Sequence, residues 1–163
     1  MKKYMALILA AITGFISFSG CSGTYGKGTS PGHIAKTLGP QIVEYINNND
    51  AESLKKLFCE QAYDSYDLDK ELQEAFNFIN GTITSYRITL GSEAKSVQEG
   101  KIVKNNFSIL IKDIETDTGY GYRIVINYHL VDDKHPELLG MQNFTIRDSN
   151  LNNPVTVGIK YDY

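Results

Sequence analysis

The chain has 163 residues, with sixteen lysines and arginines against nineteen aspartates and glutamates, and 42% of it is hydrophobic. A net charge of −3 with no basic run along the chain offers a polyanion little to neutralise, so nucleic-acid binding is excluded as a primary activity. The two cysteines cannot supply the disulfide framework of a small secreted scaffold.

Residues 1–20 carry Lys2 and Lys3, no acid, and an apolar run from Tyr4 to Phe18, the layout of an export signal. As a helix that run would span about 22 Å, short of the roughly 30 Å hydrocarbon core, which makes a permanent membrane span the weaker reading. Ser19 and Gly20 are small enough for a narrow peptidase cleft, and Cys21 follows directly. Phe18-Ser19-Gly20-Cys21 resembles the lipobox of bacterial lipoproteins, with phenylalanine where leucine is usual. The resemblance implies cleavage between Gly20 and Cys21 and a diacylglyceryl group on the Cys21 thiol, holding the protein on the outer face of the cell membrane. The alternatives are a plain secretory signal, an uncleaved anchor, or a Cys21–Cys59 disulfide. That bridge would tie a loose segment to a helix, whereas Cys59 beside Leu57 and Phe58 suits a buried free thiol. Two acyl chains hold a protein where one does not. Losing Lys2 and Lys3 leaves 14 − 19 = −5, so the anchor is expected to be lipid, with no help from charge.

Residues 21–30 then read as the lipidated cysteine and a Gly/Ser/Thr-rich tether, and residues 31–163 as one α+β domain. Ser30-Pro31 is an N-cap with a first-turn proline, and Ile34, Leu38, Ile42, Tyr45 and Ile46 recur at helical spacing. Gly39-Pro40 predicts a kink, or a helix that begins at Pro40. Asp50 caps a short second helix through Leu54, Leu57 and Phe58. Asp67 caps a third, with Leu68, Leu72, Ala75, Phe76 and Ile79 on one side.

The period then changes from 3.6 to 2. Thr82 to Leu90 alternates, as do Phe107, Ile109 and Ile111. Thr116-Asp117-Thr118-Gly119 is the turn of a hairpin. The return strand puts Tyr120, Tyr122, Ile124, Ile126, Tyr128 and Leu130 on an apolar face, with Arg123, Val125, Asn127, His129 and Val131 on a wetter one. Leu139 to Arg147 makes a fourth strand, and Val155, Val157, Ile159 and Tyr161 could add another.

Leu57-Phe58-Cys59, AFNFING at 75–81, TDTG at 116–119, and NYHLVDD at 127–133 followed by Pro136 and Leu139-Gly140 together resemble an uncharacterised family of small Gram-positive lipoproteins. That family is a domain of unknown function related to NTF2-like, or cystatin-like, folds. The resemblance implies N-terminal helices packed on a curved antiparallel sheet that forms a cone, and it assigns no catalytic residue.

The search for chemistry is mostly negative. Asp113, Glu115 and Asp117 alternate like a calcium loop but lack its glycine and closing glutamate, so no metal is expected. Neither the three histidines nor Cys59 falls in a metal or nucleophile pattern, and no phosphate-binding or nucleotide motif implies a cofactor. His129 reads as a titrating surface group. The candidate pocket lining is Tyr86, Tyr122 and Tyr128, whose rings and hydroxyls would suit a small apolar or amphipathic ligand. The expected function is therefore a membrane-anchored, non-catalytic binding or sensing domain. The alternatives are an enzyme with a pocket acid or base, and a module that forms homodimers through Arg123, Asn127 and His129.

Overall fold

The computed structural model describes residues 30–149 and 154–161. Residues 1–29, on which the expected signal segment, Cys21 and most of the expected tether fall, lie outside the described residues. The helices come first: α1 (Pro31–Asn47), α2 (Ala51–Lys55), α3 (Glu60–Ser65) and α4 (Leu68–Phe78). An antiparallel sheet follows, built from β1 (Ile83–Gln98), β2 (Lys101–Thr116), β3 (Gly121–Asp132), β4 (Gly140–Asp148) and β5 (Val155–Gly158), with a 3-10 turn at Pro136–Leu138 before β4. The sheet is an open five-stranded meander in chain order. The chain is thus α+β, with segregated helices and sheet.

The caps act as their residue types dictate. The Ser30, Asp50 and Asp67 side chains accept the backbone N–H of His33, Ser53 and Lys70, satisfying donors that a helix start leaves orphaned. Helix α1 does not begin at Pro40; it continues through it from Pro31 to Asn47. Gly39 explains what the pair does there. A β-carbon on Gly39 would lie 2.6 Å from Ile88 Cδ1, so the glycine lets α1 sit close against β1. The first of the three asparagines ending α1 also reaches the sheet. Asn47 donates to Ile83 C=O at 3.0 Å and accepts Ile83 N–H at 2.8 Å, clamping the start of β1.

One continuous core joins the two layers, from Ile34 through Leu54, Leu72, Ile109, Ile124 and Phe144 to Ile159. Helix α1 lies over β1 and β2, and α4 packs on β5. Cys59 falls between α2 and α3, fully buried and free, and its N–H donates to Met141 C=O at 2.8 Å. Burial pushes its thiol up from 9.0, although backbone N–H groups of α3 pull it back.

The expected strands at 82–90 and 107–111 are the inner halves of a much longer hairpin. Strands β1 and β2 each run for 16 residues and close at Glu99-Gly100, both with positive φ, the two-residue turn whose twist matches that of its strands. The outer half of β1 is exposed throughout. It lacks apolar alternation because neither of its faces meets the core.

Candidate functional site

Three strands of this sheet are bulged within three residues of one another along the ladder. Between Leu90 and Glu93, β1 takes three steps where β2 takes two, from Ile109 to Phe107. Strand β3 takes two steps from Val131 to His129 against one on β2, and β4 takes two from Asn143 to Met141 against one on β3. Each extra residue bends its strand and increases its twist. The sheet curves around these bulges into an open cleft of about 720 Å³. Gly91 permits the first bulge: a β-carbon there would strike Ser108 Oγ, which accepts the Ser92 N–H at 3.0 Å.

An extra residue on β4 opposite Asn127 and Tyr128, and another on β3 just after His129, bracket the β3 residues at the cleft. Asn127, Tyr128 and His129 all line it, whereas three consecutive residues of a regular strand would alternate between its faces. Its base includes Phe107, whose ring lies 5.4 Å from that of Tyr128. Ile159, Leu138 and Tyr161 border it on one side and Ser92, Glu93 and Ala94 on another.

The polar groups are largely buried. Gln142 is 1% exposed and His129 7%. The Gln142 side-chain oxygen accepts from the Tyr161 hydroxyl, but its Nε2 has no partner. His129 Nδ1 faces Asp132 Oδ2 at 3.6 Å, too far for a hydrogen bond, and Nε2 lies 3.4 Å from Asn106 Nδ2. The amide nitrogen can only donate, so this contact is a hydrogen bond when Nε2 is the bare acceptor and Nδ1 carries the proton toward Asp132. Lys104 Nζ sits 3.2 Å from the same Asp132 oxygen. Burial, and then the Lys104 charge, hold the His129 pKa below 6.5, with Asp132 pulling it partly back. Burial raises the Asp132 carboxyl, yet the Lys104 ammonium and the N–H groups of His135 and Lys134 outweigh it and leave the group below 3.8. The cleft thus presents a neutral imidazole, amide donors and a neutralised ion pair above an apolar base.

This placement corrects several expectations. His129 is buried, so it is not a surface group and completes no open patch with Arg123 and Asn127, and Asn127 itself donates to Asn143 at 2.8 Å. Of the three tyrosines, only Tyr128 lines the cleft. Tyr122 is buried elsewhere, its hydroxyl accepting Asn80 N–H at 2.9 Å and its ring edge-on to Phe78. Tyr86 is exposed on β1, beside the irregular pairing between Ser85 and Arg87 that breaks the expected alternation. Asp113 pairs with Arg87, and Asp117 accepts Thr82 N–H at 2.8 Å, so two members of the alternating acidic run serve the sheet. Gln142, Asn106, Lys104 and Asp132 carry no motif. Their one readable trace is His129 three residues ahead of Asp132, which caps the following turn by accepting the N–H groups of Lys134 and His135.

A profile of a domain of unknown function, DUF5104, matches residues 41–156. The chain belongs to the DUF5104 family. No curated protein matches it. Within this DUF5104 chain the segments that carry the resemblance gather at two places. Asn80 C=O accepts from Thr118 Oγ1 at 2.7 Å, joining AFNFING to TDTG. Leu57 and Cys59 bond to Met141 at 3.1 and 2.8 Å, which seats Leu57-Phe58-Cys59 against the start of β4. NYHLVDD contributes Asn127, Tyr128 and His129 to the cleft and Asp132 to the charge pair beside it.

Proposed function

We propose that this DUF5104 chain is a Gram-positive lipoprotein, anchored through Cys21 on the outer face of the cell membrane, whose NTF2-like cone binds a small amphipathic ligand. The carrying observation is buried hydrogen-bonding capacity left unspent at the cleft: Gln142 Nε2 and His129 Nδ1 have no partner, and a buried polar group without one costs about 1–3 kcal/mol. A ligand oxygen at Gln142 over the apolar base of Phe107 and Tyr128 would recover that cost. The cone reading is supported by helices on one face of a sheet curved by neighbouring bulges, and the anchor by Phe18-Ser19-Gly20-Cys21.

Native mass spectrometry of the full chain purified from its own host tests the cleft. A bound small molecule is expected, lost in Gln142→Met while the unfolding free energy stays within about 1 kcal/mol, because an apolar side chain of similar size removes the unsatisfied donor. Retention of the ligand by that variant would overturn the reading. Intact mass tests the anchor: the native protein should carry lipid that Cys21→Ser lacks, and a native mass without lipid refutes it.

A second reading, an acid–base enzyme in the same cleft, is favoured by His129, a neutral base at pH 7 oriented between Asn106 and Asp132. In that case His129→Gln should keep the ligand and stop its conversion. A ligand released chemically unchanged by the wild-type chain would sink the idea.

A further inference from the structure

The outer face of the sheet carries a row of cations that no stretch of sequence contains. Arg87 on β1 stands opposite Lys112 on β2, and Arg123 on β3 opposite Arg147 on β4. Between Ile111 and Ile114, β2 takes three steps where β3 takes two from Ile124 to Tyr122, which sets Lys112, together with Asp113, opposite Arg123. The four therefore form one cross-strand row, about 15 Å wide at the usual strand spacing. Asp113 neutralises Arg87. Among the described residues no carboxylate forms an ion pair with Lys112, Arg123 or Arg147, and Asp148 stands opposite Tyr122 on the other face. The outer row on one side is neutral, where Thr89 faces Leu110 and Val125 faces Thr145; on the other side Glu115 stands between Ser85 and Gly121.

Like charges set directly opposite one another destabilise a sheet, so the row costs the fold and calls for an anionic partner. We propose that this face docks on the anionic phosphate headgroups of the membrane that holds the protein. The inference rests on the lipid anchor at Cys21, which with its short tether keeps the domain within about 18 Å of the surface. The net charge of −5 does not forbid it: at physiological salt the Debye length is about 8 Å. Only groups closer than that feel the headgroups, and in this orientation those groups are the four cations with Asp113 and Glu115 beside them, 4 − 2 = +2. Docked, the sheet would take one orientation on the membrane instead of tumbling on its leash.

The test is nuclear magnetic resonance of the full lipid-anchored chain in nanodiscs containing a nitroxide-headgroup lipid. In discs of 30% phosphatidylglycerol at 0.1 M salt, broadening at the amides of Arg87, Lys112, Arg123 and Arg147 should exceed that at Ser92–Ala94 at least fivefold. The excess should vanish in pure phosphatidylcholine or at 1 M salt. Arg123→Gln with Arg147→Gln should lower it roughly fivefold per charge removed without loss of folding, since the pair repels in the native sheet. Equal broadening in both disc types, or a maximum on another face, overturns docking and leaves the anchor standing. Shifts at the row with inorganic polyphosphate but no dependence on lipid charge assign the face to a soluble polyanion and overturn membrane docking. A chain that leaves both kinds of disc defeats the anchor and docking together.

Discussion

Gly39 shows how a single residue can read as a breaker and act as a contact. Beside Pro40 it predicts an interruption, yet α1 runs on through both, and the absent β-carbon is what admits Ile88. Gly39→Ala should therefore destabilise the protein by about 1–3 kcal/mol through overpacking, although alanine is the better helix former by about 1 kcal/mol. Urea denaturation decides the sign: a more stable variant would mean that α1 and β1 can part at no cost. His129 is the converse case. One position on a strand that reads as wet proved to be buried, because Asn106 and Asp132 stand against its ring. The alternation of Tyr122 to Leu130 is legible, although Tyr120, expected on the same apolar face, is exposed before β3 begins; the extra residues at Leu130 and Gln142 are not.

At the scale of elements, caps and turns with local chemistry were the most readable. Asp50 and Asp67 cap by accepting an N–H three residues on, and Thr116 to Gly119 turns the chain where its residues say it should. The long β1–β2 hairpin was read only at its inner half, since the outer half packs nothing and shows no periodicity. Its turn is closed by Glu99, a residue with no preference for the left-handed region it occupies at φ 48. Asparagine tolerates that region, so Glu99→Asn is expected to stabilise the hairpin by up to about 1 kcal/mol. Amide exchange in β1 and β2 near the turn should slow accordingly, and faster exchange would count against the turn geometry.

At the scale of the molecule, the buried titratable groups set the response to acid. His129 is held below 6.5 in the fold, so the unfolded chain binds its proton first. Stability is whole above pH 6.5 and is lost as pH falls through that value toward the folded pKa. Asp132 and Asp50 are held below 3.8, and their contribution, present above that pH, disappears in a second and lower window. Stability measured from pH 8 to pH 2 should fall in both windows, and His129→Gln should flatten the upper one alone. A stability that rises between pH 7 and 5 would contradict the burial of neutral His129 against Lys104.

The sequence by itself determined whatever depends on neighbours along the chain: the export signal and lipobox as an expectation, the helix caps, the period change from 3.6 to 2, and hence α+β. It could not determine what depends on pairing register. Three strands bring their bulges close together around the cleft, and four bring their cations together on the outer face. These residues lie up to 60 positions apart, and hydrogen-bonded registers between strands bring them together. A shift of one residue would send each of them to the opposite face.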